Sequence, residues 1–203
     1  MKLWNQRQQV PQRQAALLQW NRPWAWYQDL EVPCCQVNIQ LDQILRLTRP
    51  RNIKGIKMLA DSLKTLLATN FVYYLKAHQF HWNVEGPDFS ELHNFFQEIY
   101  EDAYGALDQT AEYIRYLDEY APGSLERFAE LSVIQGQSKV PRARLMIEEL
   151  LANTQQMIDL LNQCFAAAEQ ENQQGIADFV AGRLSQHGKY QWQLRSYLKD
   201  QRA

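Results

Sequence analysis

Four side chains near the middle of the chain, His81, His93, Asp108 and Glu112, are of the types that bind a transition metal. Imidazole mixed with carboxylate suits iron or zinc better than magnesium or calcium, which favour all-oxygen shells, and iron is the favoured reading. Their spacing restricts how they could meet. Gly86-Pro87 breaks the chain between two helical patterns, so His81 falls near the end of one helix and His93 in the second turn of the next. Asp108 and Glu112, four residues apart, share a face of that second helix. At about 1.5 Å rise per residue, His93 lies about 22 Å along the axis from Asp108, far outside one coordination sphere. If the four share a metal, the histidines come from one copy and the carboxylates from another. Two copies of the helix packed antiparallel about a two-fold axis satisfy this, with an isologous contact and the site formed twice per dimer.

Each residue alone has a plainer reading. A lone histidine on an apolar helix face is usually a satisfied core or surface residue, which is how His78 and His187 are read here. Asp108 and Glu112 alone could be a solvated face, and Trp82 alone could be core packing. The joint pattern favours metal binding. A di-iron centre inside one chain is disfavoured: such bundles draw Glu-x-x-His pairs from two helices. Here the residues three before each histidine are Leu75, His78, Ser90 and Leu184.

The elements that must position these residues are helical. Residues 58–84 place Leu59, Leu63, Leu66, Leu67, Phe71, Leu75 and His78 at helical spacing, and residues 89–119 do so with Leu92, Phe96, Ile99, Ala103, Leu107, Thr110, Ile114 and Leu117. A third helix is expected from Pro141, a natural first-turn residue, to about Gln170, and a fourth from Gly175 to about Lys199. Four long helices imply an all-α bundle. The connection over about residues 120–140 is too long for a tight turn and carries its own helical phrase, Leu125 to Leu131.

Composition divides the chain. Its net charge of −2 combines a segment over 1–57 with nine Lys or Arg and three Asp or Glu, and a body over 58–203 with 12 basic and 20 acidic residues. The basic segment also holds Trp4, Trp20, Trp24 and Trp26 with Pro11, Pro23, Pro33 and Pro50, and its helical periodicity is weak. It reads as an irregular N-terminal extension on a helical domain. No apolar run approaches the roughly 18 residues needed to span a bilayer, and the N-terminus lacks the apolar segment of a secretory signal, so a cytoplasmic location is expected. Cys34, Cys35 and Cys164 have no zinc-knuckle spacing and are read as reduced thiols.

The segment His81-Trp82-Asn83-Val84-x-Gly86, followed by Phe89, Leu92-His93 and Asp108-x-x-x-Glu112, resembles the ferroxidase signature of the Dps family, the ferritin-like mini-cages that protect DNA in stressed bacteria. The resemblance continues through Tyr120-Ala121-Pro122-Gly123-Ser124, Leu131-Ser132 and His187-Gly188-Lys189-x-x-Trp192-x-Leu194-Arg195-Ser196, and covers about residues 58–200. It implies a ferritin-like four-helix bundle with a short helix in the central crossover, assembled as a homo-oligomer of twelve subunits. It also implies a ferroxidase that oxidises Fe²⁺ with hydrogen peroxide, stores ferric mineral and protects DNA, with nucleoid association a further expectation. His81 and His93 would supply imidazoles from one subunit, Asp108 and Glu112 carboxylates from its two-fold mate, with Glu112 bridging two irons. Trp82 resembles the family's tryptophan that relays or absorbs an oxidising equivalent. One departure stands out: the family usually carries an acidic residue four after the second histidine, where this chain has Gln97, so weaker binding of the second iron is expected. Glu98 is rotated about 100° around the helix and is no simple substitute. Glu98, Glu101 and Asp102 suit either a mineral-nucleating cavity wall or a solvated surface. The basic extension could engage DNA phosphates and stack its tryptophans on exposed bases, or pack on the cage or a protein partner. The alternative function is a DNA-compacting or partner-binding cage with a weakened ferroxidase centre.

Overall fold

The structure is a computed structural model that describes residues 52–199. The chain divides into two units, Met1–Leu47 and Thr48–Ala203, and the described residues all belong to the second. The basic extension, including its tryptophans and Cys34-Cys35, lies outside the described residues apart from 52–57.

The described residues contain helices and no strand: α1 (Ile53–Asn83), α2 (Phe89–Tyr116), α3 (Leu125–Leu131), α4 (Ala143–Gln170) and α5 (Gln174–Leu198). Four long helices form the bundle, and short α3 sits in the crossover between α2 and α4, as the sequence pattern led us to expect. The first helix starts at Ile53 rather than Met58. Asn52 is its cap, accepting the Gly55 N–H on Oδ1 at 3.2 Å and donating from Nδ2 to Glu171 Oε1 at 2.8 Å. Helix α3 has a similar device in Ser124, whose hydroxyl accepts the Arg127 N–H.

Two antiparallel hairpins build the bundle, α1 against α2 and α4 against α5, and α1 also packs on α4 and α3. Gly86, at φ 118°, makes the first turn possible, since an L side chain rarely adopts that backbone. Leu59, Leu63, Leu66, Leu67, Leu92, Phe96, Ile99, Ala103 and Ile114 are buried as their spacing indicates. The α1 stripe departs from the sequence reading past Leu67. There the core is filled by Tyr73, Ala77 and Phe80, while Leu75 is 45% exposed. A helix this long drifts relative to a fixed repeat, so the apolar row winds off the core. Phe71, on the displaced row, packs its ring 4.7 Å from that of Phe128 on α3. No helix among the described residues is long and apolar enough to cross a membrane.

Candidate metal centre

The α1–α2 turn brings His81 and His93 together. Each imidazole donates its Nδ1–H to the other's main-chain carbonyl, His81 to His93 O at 2.8 Å and His93 to His81 O at 2.9 Å. The rings stack with centroids 3.7 Å apart at 24°. A carbonyl can only accept, so both Nδ1 atoms carry the proton, and in the neutral imidazole this tautomer places the lone pair on Nε2. Neither Nε2 has a hydrogen-bond partner among the described residues. An imidazole oriented and fixed in one tautomer by a carbonyl on its other nitrogen is the usual state of a metal-ligating histidine.

His81 is buried and His93 half-buried. Around them lies an aromatic shell that the sequence reading missed. Tyr100 stands edge-on to His81 at 5.1 Å and stacks on His78 at 4.0 Å. His78 also lies 4.1 Å from the indole of Trp82, which is 61% exposed. Burial, and then the neighbouring His81, lower the His78 pKa from its usual value. Burial foremost, then Glu101 and Tyr74, raise that of Tyr100. The available signal was spacing: Tyr100 sits seven residues after His93, two helical turns along one face.

Asp108 and Glu112 are both exposed on α2, and among the described residues neither takes a hydrogen bond or ion pair. No group of three or more His, Cys, Asp or Glu side chains gathers at metal-binding distance among the described residues. A single chain thus presents two candidate half-sites, a histidine pair near one end of α2 and a carboxylate pair without partners among the described residues toward the other. The acidic group after His93 is largely spoken for. Gln97 Nε2 donates to Glu101 Oε1 at 2.6 Å, and Asp102 is held by Arg183 of α5 through two bonds of 2.7 and 2.6 Å. Asp102 is therefore an inter-helix tie rather than part of a free acidic wall. His187, read as a satisfied core or surface residue, is buried but only partly satisfied, its Nδ1 having no hydrogen-bond partner among the described residues, and Cys164 is a buried free thiol with its pKa pushed up to about 12 by burial.

This five-helix arrangement has known counterparts. Residues 60–203 match the ferritin-like domain model, and the chain belongs to that family. It is 33% identical over 137 residues to a low temperature-induced protein of Nostoc sp. (strain PCC 7120), spanning 66% of this chain and 76% of that protein. It is 28% identical over 142 residues to DNA protection during starvation protein 2 of Bacillus anthracis, covering 70% and 97%. The crystal structure of a Dps protein from Vibrio cholerae, described as a member of a superfamily of ferritin-like diiron-carboxylate proteins, superimposes with a TM-score of 0.69 at 25% identity over 72% of this chain and 92% of that one. Within the ferritin-like proteins, the chain falls in the Dps family.

Proposed function

We propose that this protein is a ferroxidase and iron-storage cage that oxidises Fe²⁺ with hydrogen peroxide at sites shared between two-fold-related subunits. The observation that carries the reading is the reciprocal Nδ1–carbonyl clasp of His81 and His93, which leaves two Nε2 lone pairs oriented without a protein partner. Asp108 and Glu112 of the two-fold mate complete the ligand set, and Glu112 has two oxygens with which to bridge metals. The iron is substrate and cargo. Two ferrous ions and two protons reduce one peroxide to two waters, leaving two ferric ions for the mineral store. Consuming peroxide and Fe²⁺ together prevents hydroxyl-radical formation near DNA. The names and descriptions of the relatives, DNA protection during starvation and ferritin-like diiron-carboxylate protein, support iron storage and DNA protection as the function. The assembly is a dodecamer, the location cytoplasmic and associated with the nucleoid, and the basic extension over 1–57 contacts DNA. Deleting residues 1–51, which spares the Asn52 cap, would abolish salt-sensitive DNA retention; unchanged retention would reject the extension as its source.

Gln97 favours a second reading, in which the centre is weakened and the cage serves mainly to compact DNA or bind a partner. Its amide supplies no charge for a second iron and is already bonded to Glu101. Stopped-flow oxidation of anaerobically added Fe²⁺ by hydrogen peroxide separates the two readings. The comparison is with a His81→Ala/Asp108→Ala variant confirmed to remain assembled. Fast oxidation lost in the variant is the expected result. Equal, slow rates in both would leave the compacting cage as the function.

A further inference from the structure

The aromatic shell continues beyond His81 as an unbroken file of tyrosines. Tyr100 lies edge-on to the His81 ring at 5.1 Å, Tyr74 lies 6.4 Å from Tyr100, and Tyr104 lies 5.3 Å from Tyr74. The file runs away from Trp82, which reaches Tyr100 only through His78. Tyr104 ends it and is 62% exposed on α2, the helix that carries both half-sites. Packing alone does not call for phenols here. Tyr100 and Tyr104 are not in the buried core, and among the described residues neither hydroxyl has a hydrogen-bond partner. The Tyr74 hydroxyl has only a long contact of 3.4 Å with His78 Nδ1. Phenols in ring contact with a metal ligand have a use that phenylalanines lack, which is one-electron oxidation.

Gln97 supplies the need for that use. Gln97 offers a neutral amide already bonded to Glu101, so a centre holding a single Fe²⁺ is a state the reaction has to manage. One ferrous ion delivers one electron, whereas reducing peroxide to water takes two. A centre that stopped after one electron would release hydroxyl radical, defeating its own protective purpose.

We propose that Tyr100, Tyr74 and Tyr104 form an electron path that supplies the second electron to peroxide when only one iron is bound. This inference rests on the ferroxidase reading above. In the first step Fe²⁺ and one tyrosine each give one electron to hydrogen peroxide, and the O–O bond breaks. The phenolic proton and one proton from solvent complete two waters, leaving Fe³⁺ and a neutral tyrosyl radical. In the second step the next Fe²⁺ to bind returns an electron to the radical, which takes up a proton and becomes tyrosine again. The two steps together consume two Fe²⁺, one peroxide and two protons, and give two Fe³⁺ and two waters. The overall stoichiometry is that of a two-iron centre, although the irons arrive one at a time.

The test is freeze-quench electron paramagnetic resonance on the full-length assembled protein, loaded anaerobically with one Fe²⁺ per subunit and mixed with one equivalent of hydrogen peroxide. The wild type is compared with Tyr74→Phe/Tyr100→Phe/Tyr104→Phe, confirmed to remain assembled, and with Tyr113→Phe, whose phenol bonds the Gly175 carbonyl well away from the path. Ring-deuterated tyrosine identifies the radical, and Fe³⁺ absorbance follows the iron. A tyrosyl signal is expected in the wild type and in Tyr113→Phe. In the triple variant it should fall at least five-fold, with a matching rise in spin-trapped hydroxyl radical. An equal tyrosyl signal in the triple variant overturns the path, as does Fe³⁺ formation in the wild type with no tyrosyl signal. Both of those leave the ferroxidase reading standing. Absence of peroxide-dependent Fe³⁺ in the wild type overturns both.

Discussion

Substituting His187 should flatten the acid sensitivity of the fold, and the structure sets the size of the effect. His187 is fully buried, and its Nε2 accepts from Arg183 Nη2 at 3.4 Å while that guanidinium is held by Asp102. The rings of Tyr73 and Tyr190 face it at 5.5 and 6.1 Å. Burial first, and then the positive Arg183, pull its pKa from 6.5 down to about 3, against a smaller opposing effect of Asp102. The folded bundle thus keeps the imidazole neutral, whereas the unfolded chain protonates it below about pH 6.5. Its contribution to stability is complete above that pH and is lost as pH falls toward 3, at about 1.4 kcal/mol per unit. Between pH 7.5 and 4.5 the loss is about 3 kcal/mol, two units' worth. The perturbation is His187→Phe, which keeps a ring and removes the titration. Urea unfolding at matched protein concentration, at pH 7.5 and 4.5, gives the stability of each protein from its midpoint and slope. Groups common to both cancel in the difference. Wild type should lose about 3 kcal/mol more than the variant over this interval. Parallel losses would refute the argument, showing that His187 takes up its proton without opening the bundle.

Two further substitutions probe the half-sites. Gln97→Glu sets a second carboxylate against Glu101, where the present contact is 2.6 Å. The metal-free protein should become less stable, and anaerobic Fe²⁺ titration should show a second iron bound per site, since a cation relieves the repulsion. An unchanged titration would show that Gln97 does not limit iron binding. The antiparallel α2 pairing can be tested through its register. If His93 faces the Asp108–Glu112 stretch of the mate, facing residue numbers sum to between 201 and 205, so the position facing its own copy is near 101. Glu101→Cys in a Cys34→Ser/Cys35→Ser background should therefore form a disulfide-linked dimer on mild oxidation. Lys189→Cys, on exposed α5, should not. Equal cross-linking of the two would reject the register.

What the sequence could reveal depended on whether one local interaction or several distant ones decided the outcome. Helix ends governed by local chemistry were readable: Gly86-Pro87 marks a boundary that the structure keeps, and the phrase Leu125 to Leu131 has the bounds of the short helix. Asn52 was overlooked because the weak periodicity of the residues before it masked an ordinary capping signal, although Gly55 follows at the right distance for its side chain to cap. The α1 core face was readable only as far as Leu67, because a repeat extrapolated along a long helix accumulates rotational error. Asp102 shows the limit for charge. Its acidic neighbours suggested a solvated or mineral-facing group, but its partner Arg183 lies 81 residues away on another helix. The separation of the four candidate ligands within one chain was legible because it is a matter of helix rise. Their readiness was not. Both histidines are fixed in the Nδ1–H tautomer by carbonyls 12 residues apart, a consequence of how closely α1 and α2 approach at their turn. That closeness converts two ordinary imidazoles into a rigid half-site. In the proposed two-fold pairing the orienting work is then done on the histidine side, and Asp108 and Glu112 of the second copy, exposed and unpaired in the single chain, need only present charge.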